Sequence, residues 1–256
     1  MLYFRNQCMK GKSAEVQIRS FDEGTLCAAC PAFEFNVCRG VGQVAKECSL
    51  TALPQPSEHT ILPRRLICRE CDLLEVIPII CHGWAASTVT LSDGRRQILS
   101  FLLPGDVVSA VLIFEPVIQC SVEAITEVNY RTFKRTEVKA LLFKNPDLFS
   151  KLSRVWIEEK ARVDQLAVDL GRRAADERIA RLILNLSDRL ARRSLVRDQM
   201  MDFPLRQHHI ADATGLTVVH VSKVLSEFRR AGLVEINERS LTISDLTGLR
   251  CIANMR

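Results

Sequence analysis

The 256-residue sequence lacks a long apolar run, and this excludes a membrane-spanning helix. Its longest apolar stretch, residues 98–114, is interrupted by Pro104, Gly105 and Asp106, whereas a membrane helix needs about 20 consecutive apolar residues. The first residues also lack the continuous apolar core of a secretion signal. We therefore expect a cytoplasmic protein with no membrane contact.

The sequence also lacks the common catalytic motifs. It contains no P-loop, no G-x-G-x-x-G and no G-x-S-x-G, so nothing indicates an enzyme. Hydrophobic residues make up 47% and charged residues 25%, which is typical of a globular protein. This composition excludes collagen-like, low-complexity and intrinsically disordered chains.

Basic charge is in excess, and the excess lies in the C-terminal third. Residues 172–256 contain 15 Lys and Arg against 10 Asp and Glu, out of 35 and 30 in the chain, which leaves 20 of each for the remaining residues. A basic segment beside a neutral one suggests a polyanion-binding module joined to a second part. The alternative is that the arginines decorate solvated helix faces.

Cysteine is abundant, and its distribution is asymmetric. Eight of the ten cysteines precede residue 82. A secreted domain would use them for disulfides, but no export signal is present. In a reducing cytosol, clustered thiols more often bind metal or sense redox state.

Residues 51–145 have the pattern of an antiparallel β-domain. Short alternating or β-branched runs, such as 86–91 and 97–103, are separated by turn signals. Asp93-Gly94 lies between these runs and favours a tight hairpin, because glycine adopts positive φ at little cost. Pro104-Gly105 predicts a second turn. We predict a β-barrel or β-roll here, preceded by a cysteine-rich arm over residues 1–50.

A long helix is predicted over residues 146–172, opened by Asn145-Pro146-Asp147. Its apolar residues recur mostly every three or four positions and form one stripe on an otherwise charged helix. This stripe can pack on the β-domain of the same chain or on the same helix of a second copy. The pattern stops near Gly171, which predicts a junction before a C-terminal domain over residues 173–256. The residues of the stripe, taken as the candidate dimer interface, are Leu148, Leu152, Trp156, Val163, Leu166 and Leu170.

The C-terminal domain has the pattern of a winged helix. A helix over residues 175–190 is followed by a short helix, a turn at Gly215 and a second helix with Thr217 as its N-cap. Two apolar runs, 233–236 and 241–243, predict a hairpin wing. This order of elements in the basic third is typical of a DNA-binding domain. The shared core is predicted from Ile210, Leu216, Val221, Val224 and Leu225.

Three segments resemble the CRP/FNR superfamily of bacterial transcription regulators, and in particular its FNR-like branch. They are DERIARLILNLS at 176–187, GRRQI at 94–98 and LPGD at 103–106. The resemblance implies an α+β fold: an N-terminal antiparallel β-roll of the cyclic-nucleotide-binding type, a long dimerisation helix and a C-terminal winged helix-turn-helix. It further implies a homodimer that binds a palindromic site in double-stranded DNA. RNA polymerase is a partner by family analogy.

The resemblance places the second helix of the motif in the major groove. Ser222 and Lys223 are the best candidates for base contacts, since lysine donates to guanine O6 and N7. The family usually has Glu at the position of Val219 and Arg at that of Lys223, so the usual half-site is not expected. His209 is expected to be solvated surface. The predicted base-reading residues are Val218, Val219, His220, Ser222 and Lys223, and the predicted phosphate contacts are Arg206, Gln207, His208, Thr217 and Arg239.

The effector is also suggested by the resemblance. Residues 107–121 contain no Arg or Lys to neutralise a cyclic phosphate, so no cyclic nucleotide is expected. Cys27-x2-Cys30-x7-Cys38 is similar to the cysteine group that holds a [4Fe–4S] cluster in FNR-like regulators, which implies oxygen or redox sensing. The family's fourth cysteine would fall near residues 128–130, where this chain has none, and Cys120 is nearest in sequence. The other candidates are Cys48, Cys68, Cys71 and Cys81.

Other interpretations of the cysteines stay open. Cys27 and Cys30 with Cys68 and Cys71 would suit a four-thiolate zinc site. Cys8, Cys81 and Cys251 are best interpreted as small apolar side chains in the core. The alternative functions are a cluster-free or zinc-containing regulator of the same type and, less favoured, an iron–sulfur electron-transfer protein.

Overall fold

The computed structural model describes residues 56–254, which form a β-roll, a long helix and a winged helix in chain order. This is the predicted architecture. The N-terminal arm, with Cys27, Cys30, Cys38 and Cys48, lies outside the described residues. No helix between residues 56 and 254 combines the length and apolar character that crossing a bilayer requires.

The β-roll consists of two antiparallel sheets. One has the strand order β1-β7-β3 and the other β2-β6-β4-β5. The predicted hairpin is present between β4 and β5, with Gly94 at φ +86° in its turn. The turn after β5 is also present, since the Asp106 amide donates to the Leu103 carbonyl over 2.9 Å. The strands are β1 (Ser57–Ile61), β2 (Leu66–Cys68), β3 (Val76–His82), β4 (Ala85–Thr90), β5 (Arg96–Leu102), β6 (Ser121–Ala124) and β7 (Val128–Lys134).

Two helices follow the β-roll. The first, α1 (Arg135–Lys144), was not predicted; it continues directly from β7 and buries Val138, Leu141 and Leu142. The second, α2 (Pro146–Arg172), was predicted, and its first turn is capped because the Asn145 Oδ1 atom accepts from the Leu148 amide over 2.9 Å. The helix ends beside Gly171, as expected.

The predicted dimer stripe of α2 needs a correction at its N-terminal end. Leu148 and Leu152 are 2% and 1% exposed within the single chain, because they fill the core of the β-roll beside Leu141 and Leu142 of α1. Trp156 is half-buried against the same core. These side chains therefore pack on their own domain. Of the later residues of the stripe, Val163 is 57% exposed, whereas Leu166 and Leu170 are half-buried.

The winged helix is larger than predicted. Its sheet has the order β10-β11-β9-β8, so two short strands extend the predicted hairpin wing. The predicted core is confirmed, with Ile210, Val221, Val224 and Leu225 at most 4% exposed and Leu216 packed against them. Its elements are α3 (Ala175–Ala191), β8 (Val196–Arg197), β9 (Met200–Asp202), α4 (Gln207–Thr214), α5 (Val218–Arg230), β10 (Val234–Asn237), β11 (Ser240–Ile243) and α6 (Leu246–Ile252).

The winged helix and the β-roll share an apolar layer. Trp84, in the turn before β4, and Ile98 and Phe101, both in β5, are at most 3% exposed. They belong to one continuous core with Ile183 of α3 and Ile210 of α4, whereas β3 and β7 face a separate core inside the roll. The second sheet thus has apolar neighbours on both faces, and it fixes where the winged helix sits.

Candidate nucleic-acid interface

Helix α5 is positioned by a turn and a cap. Gly215 ends α4 at φ +66°, a left-handed conformation that a residue without Cβ adopts readily. Thr217 then caps α5, since its hydroxyl accepts from the His220 amide over 3.2 Å. Both roles agree with the sequence prediction, and together they set the angle between the two helices of the motif.

The two faces of α5 differ in burial. Val221, Val224 and Phe228 lie in the core of the winged helix. On the opposite face, Val218 and Val219 are 45% and 80% exposed. An aliphatic side chain as open as Val219 gains nothing from water, but it can contact the methyl group of thymine.

The other predicted base-reading residues are on or near this exposed face. His220 and Lys223 are exposed, whereas Ser222 is half-buried. The Gln207 amide nitrogen lies 3.5 Å from the Ser222 hydroxyl, which holds this side chain against α4. The structure thus exposes four of the five side chains, with Ser222 half-buried at the edge.

The predicted phosphate contacts surround the same surface. Arg206, His208, Thr217 and Arg239 are exposed, and Gln207 is half-buried. They come from the start of α4, the start of α5 and the wing turn. Cations and amide groups in these places can fix the register of a duplex without reading its sequence.

The expectation that His209 is solvated surface is wrong. The side chain is half-buried, and the Arg206 amide donates to its Nδ1 atom over 3.1 Å. Burial, together with the neighbouring charges of His208 and nearby arginines, lowers the pKa of His209 to about 4. The neutral ring is therefore part of the start of α4.

Arg96 joins the helix-turn-helix to the β-roll. From the start of β5, its guanidinium lies 2.7 Å from a Glu123 carboxylate oxygen on β6 and 2.8 Å from one of Asp212 on α4. The adjacent Gln97 donates to the Ala213 carbonyl over 3.3 Å. In the sequence, Arg96 stands out only as part of a segment that resembles the family, because no local pattern indicates that β5 lies against α4.

A second polar junction forms at Asp106. Its two carboxylate oxygens lie 2.5 Å from Arg189 and 2.6 Å from Arg193, both near the end of α3. Arg193 also donates to the Pro104 carbonyl over 2.8 Å. The predicted turn at 103–106 thus ends β5 and also holds the end of α3 in place. Apart from their charge, nothing in the sequence indicates that Arg189 and Arg193 contact this turn.

The candidate cluster ligands in the β-roll have different surroundings. Cys68 is buried, Cys81 and Cys120 are half-buried, and Cys71 is exposed. Burial raises the pKa of Cys68 to about 12 and also raises the pKa of Cys120. Between residues 56 and 254, no three His, Cys, Asp or Glu side chains converge as a metal site.

These positions test the simpler interpretation of the remaining cysteines. Cys251 is exposed on α6, so its interpretation as a buried apolar side chain is wrong. Cys8 lies outside the described residues. Deep burial makes Cys68 a poor ligand for a group supplied by a separate arm, and it weakens the four-thiolate zinc hypothesis.

The segment after Asp106 contributes no cation to the β-roll. It forms a short 3₁₀ helix, Ala110–Ile113, whose Leu112 and Ile113 are 1% exposed. Residues 107–121 therefore place apolar side chains in the roll, without the positive charge that a cyclic phosphate needs.

Comparison with known proteins assigns both halves of this structure. Residues 58–145 match the model of the cyclic nucleotide-binding domain, and residues 177–252 match that of the Crp-like helix-turn-helix domain. The combination defines a DNA-binding regulator with an attached effector-type domain. The description "cyclic nucleotide-binding domain" is used here for the fold of the β-roll.

Relatives narrow the assignment. The chain is 30% identical over 188 residues to the transcriptional activator protein FnrA of Stutzerimonas stutzeri, covering 72% of this chain and 75% of that protein. It is 30% identical over 198 residues to the nitrogen fixation regulation protein FixK of Rhizobium meliloti, covering 76% and 86%. The structure of FixK2 from Bradyrhizobium japonicum superposes with a TM-score of 0.70 at 27% identity, covering 77% of this chain and 97% of that one. The chain belongs to the CRP/FNR family of transcriptional regulators, and these relatives are regulators, not enzymes.

Proposed function

We propose that the chain is a homodimeric regulator that binds a palindromic promoter site through α5 and senses oxygen or redox state through an N-terminal [4Fe–4S] cluster. The observation that carries the DNA-binding part is the exposed face of α5, flanked by exposed basic residues at Arg206 and Arg239. No feature of the described residues offers a competing reaction site.

The second half of α2 supports the dimer. Ile157 and Val163 are 67% and 57% exposed, and Val168 is 47% exposed. Ile157 and Val168 lie on the same side of the helix, since eleven residues make about three turns, and a second α2 would cover this exposed apolar side. A two-fold protein would place its two α5 helices about one DNA turn apart, roughly 34–36 Å.

Selection of duplexes from a random library tests the DNA-binding part. We expect an inverted repeat with half-sites about 10 base pairs apart, centre to centre. Lys223→Ala should weaken binding to the selected site by about 1–3 kcal/mol and relax the preference at one base pair per half-site. Lys144→Ala, an exposed lysine at the end of α1, is the matched control. Recovery of no common sequence would contradict the proposal.

The cluster hypothesis assigns Cys27, Cys30, Cys38 and Cys120 as ligands. Cys120 supports it as the half-buried candidate nearest the family position, on the segment that enters β6. When bound, such a group supplies oxygen-sensitive iron chemistry, and it can act as a switch only by favouring one dimer arrangement over another. No cyclic nucleotide is expected to change DNA affinity, given residues 107–121.

Metal analysis of anaerobically purified protein tests this assignment. We expect about four irons per chain, lost in Cys27→Ser and reduced in Cys120→Ser. Cys251→Ser, which removes an exposed thiol from the other domain, should leave the iron content unchanged. A colourless protein with one zinc per chain would overturn the cluster.

A cluster-free regulator is the second candidate, because residues 56–254 contain no group of three His, Cys, Asp or Glu side chains placed to hold a metal. The Cys27/Cys30/Cys38→Ser triple variant separates the two hypotheses. Unchanged affinity for the selected site, with and without oxygen, would favour the cluster-free form.

A further inference from the structure

A cleft with a volume of about 820 Å³ lies between the β-roll and the winged helix. Its walls come from the β1–β2 turn, β6 and the turn after it, the segment before α4 and the wing turn. The cleft carries a concentration of cationic and imidazole side chains, namely Arg64, Arg96, Arg206, His208, His209 and Arg239.

The arginines of the cleft differ in how they are neutralised. Arg96 is paired with Glu123 and Asp212. Arg64, Arg206 and Arg239 form no ion pair with any other residue between 56 and 254. Two further carboxylates, Glu127 and Glu238, also line the cleft.

Several cations of the cleft act on the start of α4. Burial lowers the pKa of both His208 and His209, and the charges of Arg96, Arg206 and Arg64 lower it further, while Asp212 acts in the opposite direction at His208. Arg64 thus acts on the same place as Arg206, although it belongs to the other domain. This part of the cleft is suited to a group with negative charge.

Arg64 is held in place by its backbone. It adopts φ +66° in the turn after β1, and its amide donates to the Ala124 carbonyl over 2.7 Å. A left-handed conformation is unfavourable for a residue with a Cβ, so the surrounding contacts must hold Arg64 in it. The turn therefore presents an exposed guanidinium from a fixed position at the edge of the cleft.

Three of the residues assigned to phosphate contact, Arg206, His208 and Arg239, line the same cleft as Arg64. We propose that the cleft binds backbone phosphates of the DNA that flanks the core site, with Arg64 as the contact from the β-roll. This rests on the proposed DNA-binding function and extends it to a second domain. A duplex carries one negative charge per about 1.7 Å of axis, so each added turn offers many phosphates to such a contact.

Two duplexes separate the flank from the core. One contains only the selected inverted repeat, and the other continues for about one further helical turn, roughly 10 base pairs, on each side. Arg64→Gly removes the charge and suits the positive φ, whereas Arg64→Lys keeps the charge. Arg69→Ala is the control, since Arg69 is an exposed arginine of the same domain outside the cleft.

Affinity is measured against salt concentration for each pair. On the long duplex, Arg64→Gly should lower the slope of log K against log salt by about 0.9 for each phosphate that the variant no longer neutralises. The same variant should bind the short duplex like the wild type. Arg64→Lys and Arg69→Ala should keep the wild-type slope on both duplexes.

Several outcomes would overturn the inference. If Arg64→Gly leaves the slope on the long duplex unchanged, Arg64 does not contact the flanking DNA. If the slope decreases equally on both duplexes, Arg64 contacts the core site instead. Calorimetry with inorganic phosphate is the third arm: binding that needs Arg64, with no effect of the flank, would assign the cleft to a free phosphate compound. If neither duplex binds the wild type, the proposed function itself fails, which is a different result.

Discussion

The winged helix exposes apolar side chains on one face of α5, whereas the β-roll buries those at the start of α2. On α5, Val218 and Val219 face outward beside Lys223, while Val221 and Val224 of the same helix fill the core. In the β-roll, Leu148 and Leu152 of α2 are drawn into the interior of the domain. The comparison teaches that outward apolar residues mark a binding face only where the domain core is already complete.

The largest expected effect tests whether the two parts are independent. Asp106→Asn would leave Arg189 and Arg193 without their carboxylate, and all three side chains are at most 15% exposed. Loss of one member of a buried ion pair costs about 3–5 kcal/mol, which denaturant titration would detect. Asp93→Asn, in the exposed pair with Arg95, should leave the midpoint unchanged. A small effect of Asp106→Asn would mean that α3 does not depend on the β-roll.

A matched pair of glycines sharpens the comparison further. Gly215 and Gly232 have nearly the same positive φ, +66° and +68°, so alanine should cost each about 1–2 kcal/mol in backbone strain. A Cβ at Gly215 would also lie 3.1 Å from the Leu170 Cδ2 atom of α2, whereas none lies within 4 Å at Gly232. Thermal unfolding should therefore show a larger destabilisation for Gly215→Ala. If the two substitutions destabilise the protein equally, the Leu170 side chain of α2 moves aside for the added Cβ.

The pH dependence of stability is the next smaller effect. The pKa of His209 falls from 6.5 to about 4 on folding, so the unfolded chain binds the proton first. This contribution to stability is present above pH 6.5 and is lost as the pH falls toward 4. His209→Gln should make the unfolding midpoint depend less on pH across this window. His220→Gln, which replaces an exposed histidine on α5, should leave the pH dependence as in the wild type. If the midpoint of His209→Gln changes with pH as steeply as that of the wild type, the pH dependence does not come from His209.

The smallest expected effect is a stabilisation at the end of α2. Gly171 lies in the last turn of the helix, is exposed, and a Cβ there would meet no atom within 4 Å. Gly171→Ala should therefore raise the free energy of unfolding by about 0.5 kcal/mol. A decrease would indicate that the junction before α3 needs the freedom of glycine.

The fold could be predicted from the sequence wherever one element carried its own signal. Asp93-Gly94, the Asn145 cap and Gly215 each specify a turn or a helix end locally, and all three are confirmed. Helix α1 was missed because it is only ten residues long and because Phe143, an exposed apolar residue next to the buried Leu141 and Leu142, obscures the periodicity of its buried face.

The candidate site divides in the same way. The two faces of α5 follow from helical periodicity, so the exposed positions could be predicted residue by residue. The burial of Leu148 and Leu152, by contrast, depends on where the β-roll lies. Arg96 and Asp106 meet partners more than 80 residues away, and no local pattern indicates such contacts.

The apolar layer between β5 and the winged helix limits how the molecule can change shape. Any rotation of one part against the other would bring Ile98 and Phe101 into water, along with the residues of α3 and α4 that cover them. In the proposed dimer, each subunit is therefore expected to move as a rigid body. A signal that alters DNA affinity would then act by shifting or tilting one subunit against the other along α2.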